Sequence, residues 1–178
     1  DGAGKGNIKK TLNSGNIVVK AISARSAYMV GGIVGFMADT DTCWNTGKIT
    51  ASEGLATVRQ SFWGGIVGQA GNKKAINCFN KGEVSGYLKA GGVAGGGAVS
   101  NSYNLGDVTC TGSNAVVYAI SSSKIINSYY ICKIGTEEKS GYIQNGAEST
   151  AKAITVTPGE DGKNTYKTGT GENAQELA

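Results

Sequence analysis

The sequence predicts an all-β fold: a β-solenoid, similar to a parallel β-helix, of about four to five short coils with a β-rich C-terminal cap. Three observations support this prediction: a motif that repeats along the chain, a second motif that repeats in phase with it, and a composition rich in strand and turn residues. Repeats of about 20–50 residues are typical of solenoids, in which each unit buries its apolar side only against its neighbours.

The first motif reads small residue, large apolar or aromatic residue, Asn-x-Gly-x and then usually Ile or Val. Its asparagines are Asn13, Asn45, Asn80 and Asn104, which lie 32, 35 and 24 residues apart, and a degraded copy occupies residues 128–134. Asparagine tolerates left-handed backbone geometry and glycine adopts positive φ without steric cost, so each Asn-x-Gly is predicted to turn the chain. The strand that follows is predicted to point Val84, in the third copy, inward.

The second motif, Gly-Gly-[IV]-[VA]-Gly, occurs at residues 31–35, 64–68 and 91–95. After the fourth copy of the first motif, the same position is assigned to residues 115–119, where small residues persist and the glycines do not. The run is predicted to form a third strand or bend of each coil. Glycines stacked in successive coils allow a backbone or ring to approach where a side chain would clash.

The repeats divide the chain into three predicted parts. Residues 1–7 are a loose lead-in, residues 8–140 are the repeats, and residues 141–178 are a C-terminal cap or extension that could be partly disordered. Within this last part, residues 153–157 alternate like a strand and residues 164–168 could pair with them, while the polar end could fray or begin a helix. The open end of a solenoid needs such a cap.

Composition excludes several classes of protein. With 29 glycines and 1 proline the chain is not collagen-like. No run of 18 apolar residues is present, so no transmembrane helix is predicted. The start lacks the charged and apolar regions of a signal peptide, and a chain that opens on Asp1 without Met is expected to be a mature form or a cut fragment.

The two motifs resemble the GLUG motif, a repeat of bacterial cell-surface and secreted proteins. The resemblance rests on the glycine runs at residues 30–35, 63–68 and 90–95 and on the Asn-x-Gly segments at residues 43–47, 78–82 and 102–106. It covers about residues 8–134 and implies a β-helical surface module, as in adhesin-like proteins and the non-catalytic part of some immunoglobulin A metallopeptidases. It brings no catalytic residue with it.

We therefore expect a non-catalytic, extracellular structural or adhesive module of a larger bacterial surface protein, with no cofactor. The chain has no histidine, so Ser-His-Asp triads, Cys-His pairs and His-based metal sites are excluded. The alternative is a β-helical lyase or hydrolase that cleaves a polysaccharide with paired carboxylates. The acidic residues of the repeats are Asp39, Asp41, Glu53, Glu83 and Asp107. Asp39 and Asp41 are expected in a solvated loop, not in a cation site.

Two cysteines, Cys43 and Cys78, occupy the small-residue position of adjacent units, where the other copies have Thr11, Ser102 and Ser128. Stacking at strand spacing, about 4.8 Å, would make them neighbours within the range that a disulfide allows. The favoured interpretation is that both are buried, free thiols in a position that serine and threonine also fill.

A candidate binding surface is the aromatic position, filled by Leu12, Trp44, Phe79, Tyr103 and Tyr129. If it faces outward it forms a ladder that could bind sugar rings or a partner; the favoured alternative is that the rings are core. Lys73, Lys74, Lys81 and Lys89 give the third unit the densest positive charge, which makes it the expected place for an acidic glycan. The net charge of +4 would aid contact with acidic glycans or anionic surfaces, but the favoured interpretation of this charge is a soluble face. The candidate binding residues are Trp44, Phe79, Tyr103, Lys73 and Lys74. The expected partners are a host matrix protein or glycan and the flanking domains, without nucleic acid or membrane insertion.

Overall fold

The computed structural model describes residues 6–20, 27–52, 60–152, 154–158, 163–168 and 175–176. In these residues the chain is all-β, as the sequence predicts, apart from one 3₁₀ turn at Glu148–Thr150. The strands are β1 (Asn7–Lys9), β2 (Leu12–Asn13), β3 (Ile17–Val19), β4 (Ala27–Gly31), β5 (Val34–Phe36), β6 (Asp39–Asp41), β7 (Trp44–Asn45), β8 (Ile49–Ala51), β9 (Gln60–Gly64), β10 (Val67–Ile76), β11 (Phe79–Asn80), β12 (Val84–Gly86), β13 (Lys89–Gly91), β14 (Ala94–Ser100), β15 (Tyr103–Asn104), β16 (Val108–Cys110), β17 (Val116–Tyr118), β18 (Ile125–Ile134), β19 (Glu137–Gly146), β20 (Ile154–Pro158), β21 (Asn164–Thr168) and β22 (Gln175–Glu176).

The strands form rows in which each strand pairs in parallel with the equivalent strand of the next repeat unit. Row A is β1–β6–β10–β14–β18, row B is β2–β7–β11–β15–β18, and row C is β3–β8–β12–β16–β18. These rows belong to one curled sheet of fifteen strands, and row D, β4–β9–β13–β17, is a separate four-stranded sheet. Equivalent residues of successive units therefore lie one strand spacing apart, about 4.8 Å.

The side chains between the rows form two apolar clusters. In row C, Ile49, Val84 and Val108 pair in register and are fully buried, which confirms the predicted inward position of Val84. They pack with Trp63 and Ala90 of row D in the smaller cluster. Each fully buried Val or Ile contributes about 1.5–3 kcal/mol. The larger cluster joins row A to the second motif and includes Ile66, Val67, Ala75, Val93, Val99, Ile120 and Ile125.

The asparagines of the first motif point into the stack and form the asparagine ladder, Asn13, Asn45, Asn80 and Asn104. The Nδ2 group of each of the first three donates to Oδ1 of the next asparagine at 2.7, 2.8 and 2.7 Å. The Nδ2 group of all four also donates to the carbonyl of the glycine two residues later, at 2.8–2.9 Å. The last three asparagines are fully buried. These bonds satisfy amide groups that would cost about 1–3 kcal/mol each if they were left unpaired.

The second glycine of each Gly-Gly pair leaves room for this ladder. A Cβ at Gly32 would lie 2.7 Å from Oδ1 of Asn45. A Cβ at Gly65 would overlap the side chain of Asn80, and one at Gly92 would overlap the side chain of Asn104. Each asparagine amide thus occupies the space beside the second glycine of the Gly-Gly pair that precedes it in the chain. This fit explains why the two motifs stay in phase.

The fourth unit corrects one sequence-based assignment. Gly91 pairs with Tyr118, and the N–H of Val93 donates to the carbonyl of Ile120, so the position of the glycine run is filled by residues 118–122 and not by residues 115–119. At Gly65 and Gly92 a Cβ would also overlap a carbonyl oxygen of the following unit. No further Gly-Gly run follows residue 119 in the sequence. The turn at Ala119 therefore has no carbonyl of a further glycine run against which a Cβ would clash, and alanine can take the place of glycine.

The C-terminal part closes the rows with antiparallel strands. β18 pairs antiparallel with β19 along its length, so the predicted boundary between residues 140 and 141 falls inside a strand. The predicted pairing of residues 153–157 with 164–168 is confirmed by β20 and β21, in which Ile154 faces Thr168. At the polar end, for which the sequence allows fraying or a helix, residues 175–176 form the strand β22. Residues 1–5 of the predicted lead-in lie outside the described residues, and Asn7 begins β1.

We predict that Gly65→Ala destabilises the fold by about 3 kcal/mol or more, because its Cβ would overlap both the Asn80 side chain and a backbone carbonyl, and overpacking against backbone relaxes poorly. Gly6→Ala is the control, since its Cβ would meet only the Ala38 Cβ at 3.7 Å. Urea unfolding followed by circular dichroism measures both variants. Equal losses for the two would contradict the steric role of Gly65.

Candidate functional site

The aromatic position lies on the outer surface of row B. Leu12, Trp44, Phe79, Tyr103 and Tyr129 pair in register. Leu12 is 59% exposed and Trp44 37%, while the other three are half-buried. The side chains on either side of Trp44 in sequence, Cys43 and Asn45, are fully buried, because alternate residues of a strand face opposite sides. The favoured interpretation of these rings as core was therefore wrong.

Three of the rings stack on one another. The centroids of Phe79 and Tyr103 are 4.3 Å apart with an interplanar angle of 27°. Those of Tyr103 and Tyr129 are 4.9 Å apart and the rings are almost parallel, at 1°. Both faces of Tyr103 are thus covered by its neighbours, so the ladder presents ring edges to solvent. A sugar ring that binds an aromatic side chain lies on the face of the aromatic ring. Trp44 is therefore the better candidate for sugar binding, because it is the most exposed ring of the row.

The C-terminal strands approach the last ring of this row. Burial, together with the smaller effect of the nearby hydroxyls of Tyr103 and Tyr166, raises the pKa of Tyr129 to about 12. Tyr166 belongs to β21 and Tyr142, the partner of Tyr129 in β19, donates its hydroxyl to Oδ1 of Asn127 at 2.7 Å. The aromatic row is therefore covered at Tyr129 by the C-terminal strands and is most exposed at its other end, at Leu12.

The four lysines of the third unit do not form one patch. Lys73 and Lys74 lie on β10, where Nζ of Lys73 is 3.6 Å from Oδ2 of Asp39 and the backbone N–H of Lys74 donates to Oδ1 of Asp39 at 2.9 Å. Lys81 lies in the Asn-x-Gly turn after row B. Lys89 lies on β13, in row D, with its Nζ 5.2 Å from the centroid of the Phe62 ring. A basic surface for an acidic glycan would have to use one or two of these lysines at a time.

The acidic residues of the repeats that the structure describes contact neighbouring units, while Glu53 lies outside the described residues. Asp39 and Asp41 lie in β6, a strand and not the expected loop. Hydrogen bonds from Asn77 and then Thr42 lower the pKa of Asp41, and Lys9 lies 3.5 Å away. Among the described residues, no group of three or more His, Cys, Asp or Glu side chains could hold a metal ion.

Two further acids make similar contacts between units. Glu83 pairs with Lys48 at 2.7 Å. Oδ1 of Asp107 accepts from the backbone N–H of Lys133 at 2.8 Å. The carboxylates of Glu83 and Asp107 thus bind the unit before or after their own and do not converge on a common point.

Cys43 and Cys78 are fully buried and free, as expected, and burial raises the pKa of the Cys78 thiol. Their thiols donate to the carbonyl two residues earlier, at 3.5 Å for Cys43 and 3.2 Å for Cys78. Ser102 makes the same bond at 2.8 Å, and Thr11 and Ser128 make it as well. This shared bond explains why cysteine, serine and threonine replace one another at this position.

A stacked corner of the chain, which the sequence motifs do not predict, precedes the small-residue position in each unit. The residue before each of these small residues has positive φ, between 45° and 55°: Lys10, Thr42, Asn77, Asn101 and Asn127. Asparagine, which is enriched in this conformation, fills three of the five positions and was the available signal. Nδ2 of Asn127 donates to Oδ1 of Asn101 at 2.9 Å, and Nδ2 of Asn77 donates to Oδ1 of Asp41 at 2.9 Å. The outer corner thus also links units through side-chain amides.

Two surface hollows lie away from the aromatic row. One, of about 540 Å³, is lined by Lys20, Ala51, Ser52 and Thr111. The other, of about 390 Å³, is lined by Gln144, Asn145, Thr150 and Lys152. Neither contains a residue that the sequence analysis proposed for binding.

No protein-family model, curated protein or solved structure matches the chain. The resemblance to the GLUG motif therefore stays a prediction from the residues that carry it. In the part of the chain that the structure describes, no helix is long and apolar enough to cross a membrane.

We predict that Tyr129→Phe makes the protein less sensitive to alkaline pH. An unfolded tyrosine ionises near pH 10, whereas the raised pKa keeps folded Tyr129 protonated until about pH 12, so the free energy of unfolding falls as the pH rises between these values. The Phe variant keeps the stacked ring and lacks this part of the fall.

Urea unfolding at pH 9 and pH 11 tests this expectation. Cys110 and Cys132, whose pKa values burial also raises to about 12, contribute equally to both proteins, so the difference between the proteins isolates Tyr129. The same loss of stability in both proteins would show that the Tyr129 hydroxyl is not protected by the fold.

Proposed function

We propose that the stacked units form a β-solenoid of the GLUG type, which serves as a non-catalytic, extracellular structural or adhesive module of a larger bacterial surface protein. The observation that carries this proposal is the pairing of the units: rows A to D join equivalent strands of successive units in the same order, with one shift of register in row A between Gln69 and Lys74. A stack of this kind lengthens by about 4.8 Å for each unit added, which suits a part that displays or spaces other domains.

The contacts between units favour a scaffold. The asparagine ladder, the small-residue position and the Asp–Lys and Glu–Lys pairs all join a unit to the unit before or after it. The outward position after each Asn-x-Gly is Asn16, Lys48, Glu83 or Asp107, a variation that a repeated ligand site would not tolerate. Lys48, Glu83 and Asp107 at this position bind groups of neighbouring units and do not converge on a ligand site.

The adhesive part of the proposal rests on a smaller surface. Trp44 is the most exposed ring of the aromatic row, and Lys74 and Lys81 are exposed near the same units. An aromatic side chain beside cations can bind an acidic sugar through stacking and charge. The polysaccharide-cleaving alternative has less support, because Asp39, Asp41 and Glu83 are each paired with a lysine.

Deletion of one whole unit tests the solenoid. Removal of residues 81–104 joins Asn80 to Leu105 and preserves the order of rows, so we expect a cooperative fold with a β-type circular dichroism spectrum and a lower free energy of unfolding, because one interface between units is lost. Removal of residues 93–104 alone is the control: it breaks the register and is expected to abolish cooperative unfolding. Equal behaviour of the two deletions would contradict a solenoid.

Binding assays on the same proteins separate the roles. Saturable, salt-sensitive binding to an acidic glycan that is lost in Trp44→Ala, or in Lys73→Ala with Lys74→Ala, would support adhesion. The absence of binding in a glycan array and in a pull-down from extracellular matrix would leave the module as a spacer. Release of reducing ends from a polysaccharide would overturn the non-catalytic proposal.

A further inference from the structure

The N–H groups of the glycine turns follow one rule along the stack. The residue after each Gly-Gly pair donates its N–H to a carbonyl of the following unit: Ile33 to Ile66 at 3.0 Å, Ile66 to Val93 at 2.9 Å, and Val93 to Ile120 at 3.1 Å. Ile120 occupies the same position in the fourth unit and is fully buried. A buried N–H here needs an acceptor, which a fifth glycine turn would have supplied.

Glu148 takes the place of that missing carbonyl. Its Oε1 accepts from the N–H of Ile120 at 2.5 Å. Burial raises the pKa of the Glu148 carboxyl, and the neighbouring backbone N–H groups of Ile120, Ala119 and Ser121 act in the opposite direction and lower it. The peptide groups on either side of the Ile120 bond therefore also favour an anion at this position. Consecutive backbone N–H groups that converge in this way form a concave site for an anion.

We propose that the N–H groups of Ala119, Ile120 and Ser121 form a carboxylate-binding site at the C-terminal end of the stack, and that Glu148 fills it in cis. Glu148 lies on the 3₁₀ turn that follows β19. By occupying the site it fastens this turn to the fourth unit and so holds the cap in place. The ligand class is a small carboxylate, because the site replaces one backbone carbonyl oxygen and accommodates one carboxylate group.

Removal of the side chain tests the site directly. Glu148→Ala leaves the N–H of the buried Ile120 without its acceptor, and we expect the equilibrium constant of unfolding to rise about tenfold or more at pH 7. Sodium formate should reverse this loss in a saturable way, while sodium chloride at the same ionic strength and acetamide should not. Wild-type protein should show no such response to formate, because its site is already filled.

Two-dimensional NMR locates the effect. On titration of Glu148→Ala with formate, the amide resonances of residues 119–121 should shift with the same saturation as the stability. Ser149→Ala, an exposed change on the same turn, is the matched control and should neither lose much stability nor respond to formate.

Three outcomes would overturn the proposal: recovery that is equal in wild type and variant, formate binding that leaves residues 119–121 unmoved, or a Glu148→Ala protein that stays unfolded in saturating formate. Glu148→Gln keeps the length of the side chain and an acceptor oxygen, so it should lose less stability and ignore formate. A Gln variant as unstable as the Ala variant would show that the turn needs Glu148 for another reason.

Discussion

The stack depends on one steric constraint: an asparagine amide fits into the space that glycine leaves free because glycine has no Cβ. The amides of Asn80 and Asn104 occupy the space in which Gly65 and Gly92 would otherwise carry a Cβ. Asn80 accepts from Asn45 and donates to Asn104, and both Asn80 and Asn104 donate to a turn carbonyl in their own unit. A buried amide is stable only when its donors and acceptor are all paired. If one unit shifted against the next, the bonds of the asparagine ladder would break and the asparagine side chains would no longer lie beside the glycines. This constraint does not depend on the length of the loops between the motifs.

The departures from the repeat occur where a neighbour is missing. At the C-terminal end the ladder position is Tyr130, and Nδ2 of Asn104 donates instead to Sγ of Cys132 at 3.4 Å. Ala119 replaces glycine in the last turn, and Glu148 replaces the carbonyl of a further unit. Strand β19 pairs with the edge of β18, as edge strands in natural proteins are commonly covered. The degraded fifth copy is thus a change from stacking to capping, and each substitution meets a need that the preceding units do not have.

Repetition made the architecture predictable, because a motif that recurs in phase fixes which residues are neighbours. The all-β class, the inward Val84 and the buried cysteines followed from period and alternation alone. The outward position of Trp44 did not, because a ring that is large in every copy suits a core as well as a stacked surface row. The strand at Asp39–Asp41 was missed since its two acids look like loop residues, yet each is paired across units. The Glu148 contact joins residues 28 apart in the sequence, and no repeated motif marks either of them, so it is visible only in the folded chain.

A double-mutant cycle between Asn45 and Asn80 tests the central constraint most directly. The two side chains share a bond of 2.8 Å and are both fully buried, so Asn45→Ala and Asn80→Ala should not be additive. We predict a coupling free energy of about 1 kcal/mol or more from urea unfolding. Asn13→Ala with Asn104→Ala, two members of the ladder that do not touch, should be additive within about 0.5 kcal/mol. Additive losses for Asn45 and Asn80 would contradict the account, because they would mean that the ladder does not hold one unit on the next.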